Sequence, residues 1–324
     1  MKGRCIVLFA ALLSLFVPAF GATIPTFDKG AVSSSRGAAV SAALNRAAFG
    51  NAVPSSQELL EAVERNNLTL VNKLLALRVN VNGRDFKGRT PLMRATENYL
   101  NIEILRSLLN SHAAVNIKDK EGKTALFHAV EQNNRPATLL LLKAGSDPDT
   151  EDNKYYSPLI LAVQNNDKEL VTILFDDFHA TGDPKEPGKK SALFFSIEKG
   201  DRDLFIAMAE GGANIYYRGL GGLNAVMYAA ALGQSKLLHI LLLMDDFYFD
   251  KPNDQDEDRT AIMYAAACGS LDCVKQLVAK GAQYTASDKG GAKPYDYAYY
   301  NDHFDVANYL KQLEEEHFYV PNKY

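Results

Sequence analysis

A short residue pattern returns through most of the chain at an interval close to 33 residues. Thr90-Pro91-Leu92, followed by Ala95, is its clearest copy: a polar residue, a helix-starting residue, an aliphatic residue and, after a gap, a small one. Its first position recurs at Thr90, Thr124, Ser157, Ser191, Asn224, Thr260 and Lys293, so that successive copies lie 34, 33, 34, 33, 36 and 33 residues apart. A degenerate copy starts at Gln57. Such a period predicts an array of similar units instead of one central core.

The residue types in the pattern predict a short helix at the start of each unit. Thr and Ser accept hydrogen bonds from the free amides of a first helical turn, and Pro fits that turn. A small side chain such as Ala95 lets the helix approach its neighbour closely. Nine positions after the first residue come types that tolerate a left-handed backbone and so end a helix; these are Asn66, Asn133, Asn166, Gly200, Gly233 and Gly269. Two positions before it stands a turn glycine in four units: Gly88, Gly122, Gly222 and Gly291.

A second helix is predicted after the first in each unit. Leu139–Leu142 and Leu237–Leu242 are apolar at helical spacing on several sides, so one partner helix cannot cover them. Gly145, Gly212 and Gly281 follow at matching positions as helix ends. Each helix pair therefore needs neighbouring pairs to bury its apolar faces.

These units resemble the ankyrin repeat, whose 33-residue unit carries Thr-Pro-Leu-His-x-Ala. The chain departs from it at the His position, which holds Met93 in the clearest copy. The resemblance implies an all-α solenoid of about eight stacked helix pairs with projecting loops and a concave groove. It also implies a protein partner, and we expect a monomer. The last unit ends in a polar helix with Glu314, Glu315 and Glu316, as a capping unit would.

The N-terminus has the pattern of an export signal. Lys2 and Arg4 precede the apolar run Ile6–Val17, and small residues follow at Ala19-Phe20-Gly21. We therefore expect a signal peptide over 1–21, a flexible leader over 22–54 with a short helix near 38–49, the repeat domain over 55–317 and a tail over 318–324. A signal-anchor is the alternative. Cleavage would place the protein in an extracytoplasmic compartment, periplasmic or secreted, with no membrane insertion afterwards.

The rest of the composition favours a binding protein over an enzyme. The sequence has no nucleophile elbow, phosphate loop or metal-ligand spacing of its His residues, so no cofactor is expected. The acidic run Asp254–Asp258 begins like a calcium loop, but Arg259 stands where that loop needs Gly. A net charge of −4 gives no general attraction for nucleic acid. Cys268 and Cys273 are expected as partly buried thiols, with a disulfide as the alternative.

Partner contacts in the ankyrin family usually come from the loop tips before the first helix and from the exposed end of that helix. By register, the resemblance assigns the tip contacts here to Phe86, Lys87, Arg89, Lys120, Lys123, Lys154, Tyr155, Tyr156, Lys190, Asp256, Glu257 and Asp258. The tips of the N-terminal half are basic with aromatic residues, while the tip at 256–258 is acidic. A groove with opposite charges at its ends would orient a partner of complementary charge.

The sequence therefore predicts a non-enzymatic scaffold that binds a protein through its concave face and loop tips. Two alternatives remain open. One is a secreted effector that binds a host protein; the other is an envelope stress-protection factor that depends on a metal or small molecule.

Overall fold

The computed structural model describes residues 55–97, 101–186, 188–244 and 249–318. These residues form sixteen α-helices and no β-strand, apart from an isolated antiparallel bridge between Asn253 and Arg259. The predicted all-α class is confirmed. The signal peptide, the leader with its predicted short helix, and residues 319–324 of the tail lie outside the described residues.

The helices alternate between a first helix and a second helix in every unit. In chain order they are α1 (Ser56–Glu64), α2 (Leu68–Ala76), α3 (Pro91–Thr96), α4 (Ile102–Asn110), α5 (Ala125–Glu131), α6 (Arg135–Lys143), α7 (Pro158–Gln164), α8 (Lys168–Asp176), α9 (Ala192–Lys199), α10 (Arg202–Glu210), α11 (Ala225–Ala231), α12 (Ser235–Met244), α13 (Ala261–Cys268), α14 (Leu271–Lys280), α15 (Pro294–Tyr300) and α16 (Phe304–Phe318). Eight helix pairs are therefore present in the described chain, as the repeat predicts.

The chain divides into two compact units. Within the described residues, the N-terminal unit runs from residue 55 to Phe195 and includes Ile206–Ala213; the C-terminal unit comprises Ser196–Phe205 and the residues from Asn214 onward. In the N-terminal unit α1, α3, α5 and α7 pack side by side, and α2, α4 and α6 form the second layer. In the C-terminal unit α11, α13 and α15 form one layer, and α12, α14 and α16 form the other.

The caps and ends of the helices confirm the sequence pattern. Thr124 and Ser157 each accept a hydrogen bond from the amide three residues later at 3.3 Å. The predicted helix-ending residues all have left-handed backbones, with φ between 52° at Asn66 and 77° at Gly269. Helix α1 departs from the repeat register, because its cap is Ser55, two residues before the expected position Gln57. Leu59 and Ala62 are nevertheless buried, as their register requires.

The core lies between neighbouring helix pairs. The small residue five positions after the cap is at most 1% exposed in each of the seven clear copies, at Ala95, Ala129, Ala162, Ser196, Ala229, Ala265 and Ala298. Second helices supply the bulky side chains, and in α12 Leu237, Leu238, Leu241 and Leu242 are all buried. Each such leucine stabilises the fold by about 1.5–3 kcal/mol relative to an exposed position. Cys273 is buried as expected, and Cys268 and Cys273, the cysteines of the described residues, are free thiols.

We predict that Gly122→Ala destabilises the protein more than Gly291→Ala does. Both glycines occupy the same turn position and have left-handed backbones, with φ of 81° and 85°. A Cβ at Gly122 would lie 2.8 Å from the amide nitrogen of Asn153 in the next hairpin, whereas a Cβ at Gly291 would meet nothing within 4 Å. Backbone strain costs both variants about 1 kcal/mol, and the clash costs Gly122→Ala roughly 1–3 kcal/mol more. Urea unfolding measures both changes, and equal losses would contradict the predicted contact between hairpins.

Candidate partner-binding surface

A largely buried aspartate organises the hairpin before four of the first helices, at Asp85, Asp119, Asp152 and Asp288. The Oδ1 atom of Asp119 accepts hydrogen bonds from the amides of Glu121 and Lys123 at 2.9 and 3.0 Å. Asp85 and Asp152 accept from the amides two and four residues later in the same way. One carboxylate oxygen thus fixes the shape of each tip, so the side chains at the tips are presented on a defined backbone.

The second oxygen of this aspartate joins the hairpin to the first helix. Asp85 accepts from the Arg94 guanidinium at 2.5 Å, and His128 Nε2 lies 2.9 Å from Asp119 Oδ2. In the last unit Tyr297 donates its hydroxyl to Asp288. The third hairpin differs, because Leu161 stands at the position of Arg94 and His128. Asp152 is therefore hydrogen-bonded only to the amides of its own turn within the described chain.

Neighbouring hairpins are also joined backbone to backbone. The Lys120 amide donates to the Lys87 carbonyl at 3.0 Å, and the Asn153 amide donates to the Glu121 carbonyl at 2.9 Å. In the C-terminal unit, Lys289 donates to Glu257 at 2.8 Å. The three tips at 85–89, 119–123 and 152–156 therefore form one continuous hydrogen-bonded row.

Four of the predicted contact residues project from that row into solvent. Phe86 is 76% exposed, and the Lys87 ammonium lies 5.8 Å from the centre of its ring. Lys87, Lys120 and Lys154 are exposed and form no ion pair with a described residue. We call Phe86, Lys87, Lys120 and Lys154 the tip surface. It combines uncompensated positive charge with a large apolar side chain, which are features of protein interfaces.

Arg89 and Lys123, by contrast, are used within the fold. Their side chains are only 16% and 15% exposed. Arg89 pairs with Glu97 at 2.6 Å, and Lys123 pairs with Glu131 at 2.8 Å and Glu121 at 3.1 Å. They hold the tips against the ends of the first helices, where Glu97 and Glu131 lie. Their part in partner binding stays a prediction.

The third and fourth hairpins bring the remaining basic and aromatic candidates together. Tyr155 has a left-handed backbone with φ of 67°, at a position that holds glycine in four other units. The Lys189 ammonium lies 4.2 Å from the centre of its ring. Tyr156 packs against Phe195 with ring centres 5.8 Å apart, and the Lys190 ammonium lies 5.5 Å from Phe195. These half-buried residues form a basic, aromatic flank to the tip surface.

The acidic tip in the C-terminal unit is largely compensated. Arg259 pairs with Asp256 and Glu257, both at 3.1 Å, and Lys289 pairs with Asp258 at 3.1 Å. Asp256 also accepts a hydrogen bond from the Tyr264 hydroxyl at 2.7 Å. This tip therefore presents less free negative charge than its sequence indicates.

Sequence reasoning missed the aspartates, although their signal was present. Asp85, Asp119, Asp152 and Asp288 each stand five residues before a helix cap, and a polar partner stands four residues after the cap in three of these units. Only the side-chain geometry shows that these two positions meet. The predicted lysines were found by register, but their ion pairs were not, because pairing depends on rotamers.

The chemistry of the described residues is that of a surface. They contain no group of three His, Cys, Asp or Glu side chains placed to hold a metal ion. In the same residues, no helix is long and apolar enough to cross a membrane. A comparison with family models finds one match, described as ankyrin repeats (3 copies), over residues 59–152 and 226–319, together more than half of the chain.

We predict that Asp85→Asn destabilises the protein more than Asp152→Asn does. An asparagine can still accept from the turn amides, as Asn253 does from the Gln255 amide at 3.1 Å. Asp85→Asn also loses its ion pair with the largely buried Arg94, which costs about 2 kcal/mol. Asp152→Asn weakens only the turn and costs roughly 0.5–1 kcal/mol. Thermal and urea unfolding measure both variants, and equal losses would show that the link to Arg94 contributes little.

We predict that Glu131 stabilises the fold at neutral pH and loses this effect in acid. The hydrogen bond with His128 and the nearby Lys123 ammonium outweigh burial and lower the pKa of Glu131 from 4.5 to about 2. A lowered pKa stabilises the folded state above pH 4.5, and the stabilisation disappears as the pH falls to 2. Because Glu131 is 35% exposed, we expect only about 1 kcal/mol at pH 7.

The check is to compare the stability of the native protein with that of Glu131→Gln by urea unfolding across this pH range. The difference should be full near pH 6 and close to zero at pH 2. Glu103→Gln serves as the control, because Glu103 is an exposed carboxylate on α4. A difference that does not change with pH would contradict the predicted role of the Glu131 charge.

Proposed function

The chain belongs to the ankyrin-repeat family, and from this premise we propose that it is a non-enzymatic scaffold whose tip surface binds an acidic protein segment in an extracytoplasmic compartment. Ankyrin repeats are protein–protein interaction modules and are generally not enzymes. The proposal goes further in naming the surface, the charge of the partner, the compartment and a monomeric state.

The uncompensated lysines of the tip surface carry this proposal. Two other cations on the hairpins of the N-terminal unit are held in internal ion pairs, Arg89 with Glu97 and Lys123 with Glu131. Lys87, Lys120 and Lys154 are left without a described ion-pair partner and lie on adjacent, hydrogen-bonded hairpins. A partner with carboxylates at a similar spacing would be attracted by all three at once, which raises the rate of association and selects for charge.

Phe86 provides the apolar part of the surface. Phe86 is 76% exposed on a structured turn, so its ring is accessible to a partner. Aromatic residues beside cations are common among the residues that dominate binding energy. The neighbouring Tyr155 and Tyr156 would extend the contact along the flank.

The export signal supports an extracytoplasmic site of action. Lys2, Arg4 and the apolar run after them have the order and length that signal peptidases recognise. Recovery of the protein from the periplasm would support an envelope scaffold, and recovery from the culture supernatant would support a secreted effector with a host partner.

We predict that reversing the three free charges abolishes partner binding without unfolding the protein. The variant is Lys87→Glu, Lys120→Glu and Lys154→Glu together, made in the chain from Ala22. Partners would be captured from envelope and supernatant extracts, identified by mass spectrometry and titrated by calorimetry. Loss of one to three favourable charge contacts should lower the affinity for the partner at least about 30-fold, and the loss should be larger at low than at high salt.

The matched control reverses three exposed cations away from the tips: Lys73, Lys143 and Lys236. It has the same net charge as the test variant, so the two differ only in which surface is altered. If both triple variants bind the partner equally weakly, the loss is an effect of net charge and the proposal is wrong. A further variant, Phe86→Ala, should also lower the affinity for this partner, and this loss should depend little on salt concentration.

A further inference from the structure

The last helix pair exposes a position that is buried in the units before it. In the C-terminal unit, the residue six positions after the helix cap is Ala230 in α11, Ala266 in α13 and Tyr299 in α15. Ala230 and Ala266 are fully buried, because the next first helix packs against their own. No further first helix follows α15 in the described chain, and Tyr299 is 48% exposed.

Tyr299 is the centre of an aromatic cluster. Its ring centre lies 5.8 Å from those of Tyr295 and Tyr300 and 5.9 Å from that of Phe304. Tyr300 and Phe304 are 67% and 53% exposed. The preceding unit has the smaller Ala267 and the aliphatic Leu271 at the two corresponding positions. The end of the array therefore carries large rings where the units before it carry smaller or aliphatic side chains.

A capping unit needs only a polar outer face to stay soluble, and α16 supplies one with Glu314, Glu315 and Glu316. Capping does not account for three exposed rings at the end of α15 and the start of α16. A contiguous exposed apolar patch of this kind usually marks an interaction site.

The charge around the cluster indicates what would bind there. Asp302 and Asp305 are exposed beside the rings and form no ion pair with a described residue. The acidic tip of the same unit is different, because Arg259 and Lys289 compensate it. The face of an aromatic ring also attracts cations. Rings and carboxylates here favour the same kind of partner.

We propose that Tyr295, Tyr299, Tyr300 and Phe304, together with Asp302 and Asp305, form a second docking surface, which binds a protein segment rich in arginine and lysine. Guanidinium and ammonium groups would lie over the rings and pair with the two carboxylates, while their aliphatic stems cover the ring edges. We call these six residues the end surface. It is opposite in charge to the tip surface, so the two would select different partners.

The experiment uses fluorescence anisotropy with two labelled peptides of equal length, one containing arginine and lysine and the other containing glutamate at the same positions. The test variants of the chain are Tyr299→Ser with Tyr300→Ser, and Asp302→Asn with Asp305→Asn. The control is Tyr216→Ser, which removes an exposed tyrosine elsewhere in the same unit. Circular dichroism melting checks that each variant is folded.

The native chain should bind the basic peptide at the end surface, and any binding of the acidic peptide should be lost in the triple charge reversal of the tip surface and unchanged in the tyrosine variant. The tyrosine variant should weaken binding of the basic peptide about tenfold, as expected for two lost cation–π contacts. The aspartate variant should weaken it several-fold at low ionic strength and less at high ionic strength. Tyr216→Ser should have no effect on binding of the basic peptide, and neither should the triple charge reversal on the tip surface, so a failure here is separate from a failure of the proposed function.

Three results would overturn the proposal. The first is binding of the basic peptide that the tyrosine variant does not change. The second is a dimer in light scattering that Tyr299→Ser with Tyr300→Ser dissociates, which would assign the surface to a second copy of the chain. The third is peptide binding only after removal of residues 319–324, which would assign it to the chain's own tail.

Discussion

The shortness of the helices is the constraint on which the rest of the structure depends. Most helices here have six to ten residues, too few to be stable alone in water. Their stability comes from packing, and α12 is apolar on more than one side, so it needs α11 and α14 as well. This requirement fixes residue types at every buried register position, from Ala95 to Ala298. The chemistry that can vary is confined to hairpin tips and to the end of the array.

The largely buried aspartates fix the hairpin tips in place on the helix stack. Asp85 and Asp119 bind their turns with one oxygen and a first-helix side chain with the other, so the tip moves with the helix layer. Arg89 and Lys123 add ion pairs to the helix ends. The backbone that carries the remaining lysines is already ordered and loses little further conformational freedom on binding, and this preorganisation raises affinity without adding contacts. The third hairpin lacks the link to its helix, which makes it the least constrained of the three.

The fold was predictable from sequence because its signals are local and repeated. The caps at Thr124 and Ser157 and the left-handed residues at Asn133 and Gly269 each depend on one backbone position. The surface was predictable only in part. Register found Lys87 and Lys123 alike, but Lys123 is paired with Glu131 and Lys87 has no described ion-pair partner, and this difference depends on side-chain geometry. Likewise, the sequence predicts an acidic tip at 256–258, and only the structure shows that Lys289 of the next repeat lies beside it.

Departures from register therefore carry more functional information in this chain than the repeat itself. A residue that matches its counterparts in the other units is explained by packing, as Ala230 and Ala266 are. Tyr155 stands where four other repeats have a turn glycine and has a strained backbone, and Tyr299 stands at a position where Ala230 and Ala266 are buried. Neither substitution is required for stacking, and strain of this kind persists where the surrounding structure enforces it. We therefore propose partner binding as the role of both side chains, one on each unit of the chain.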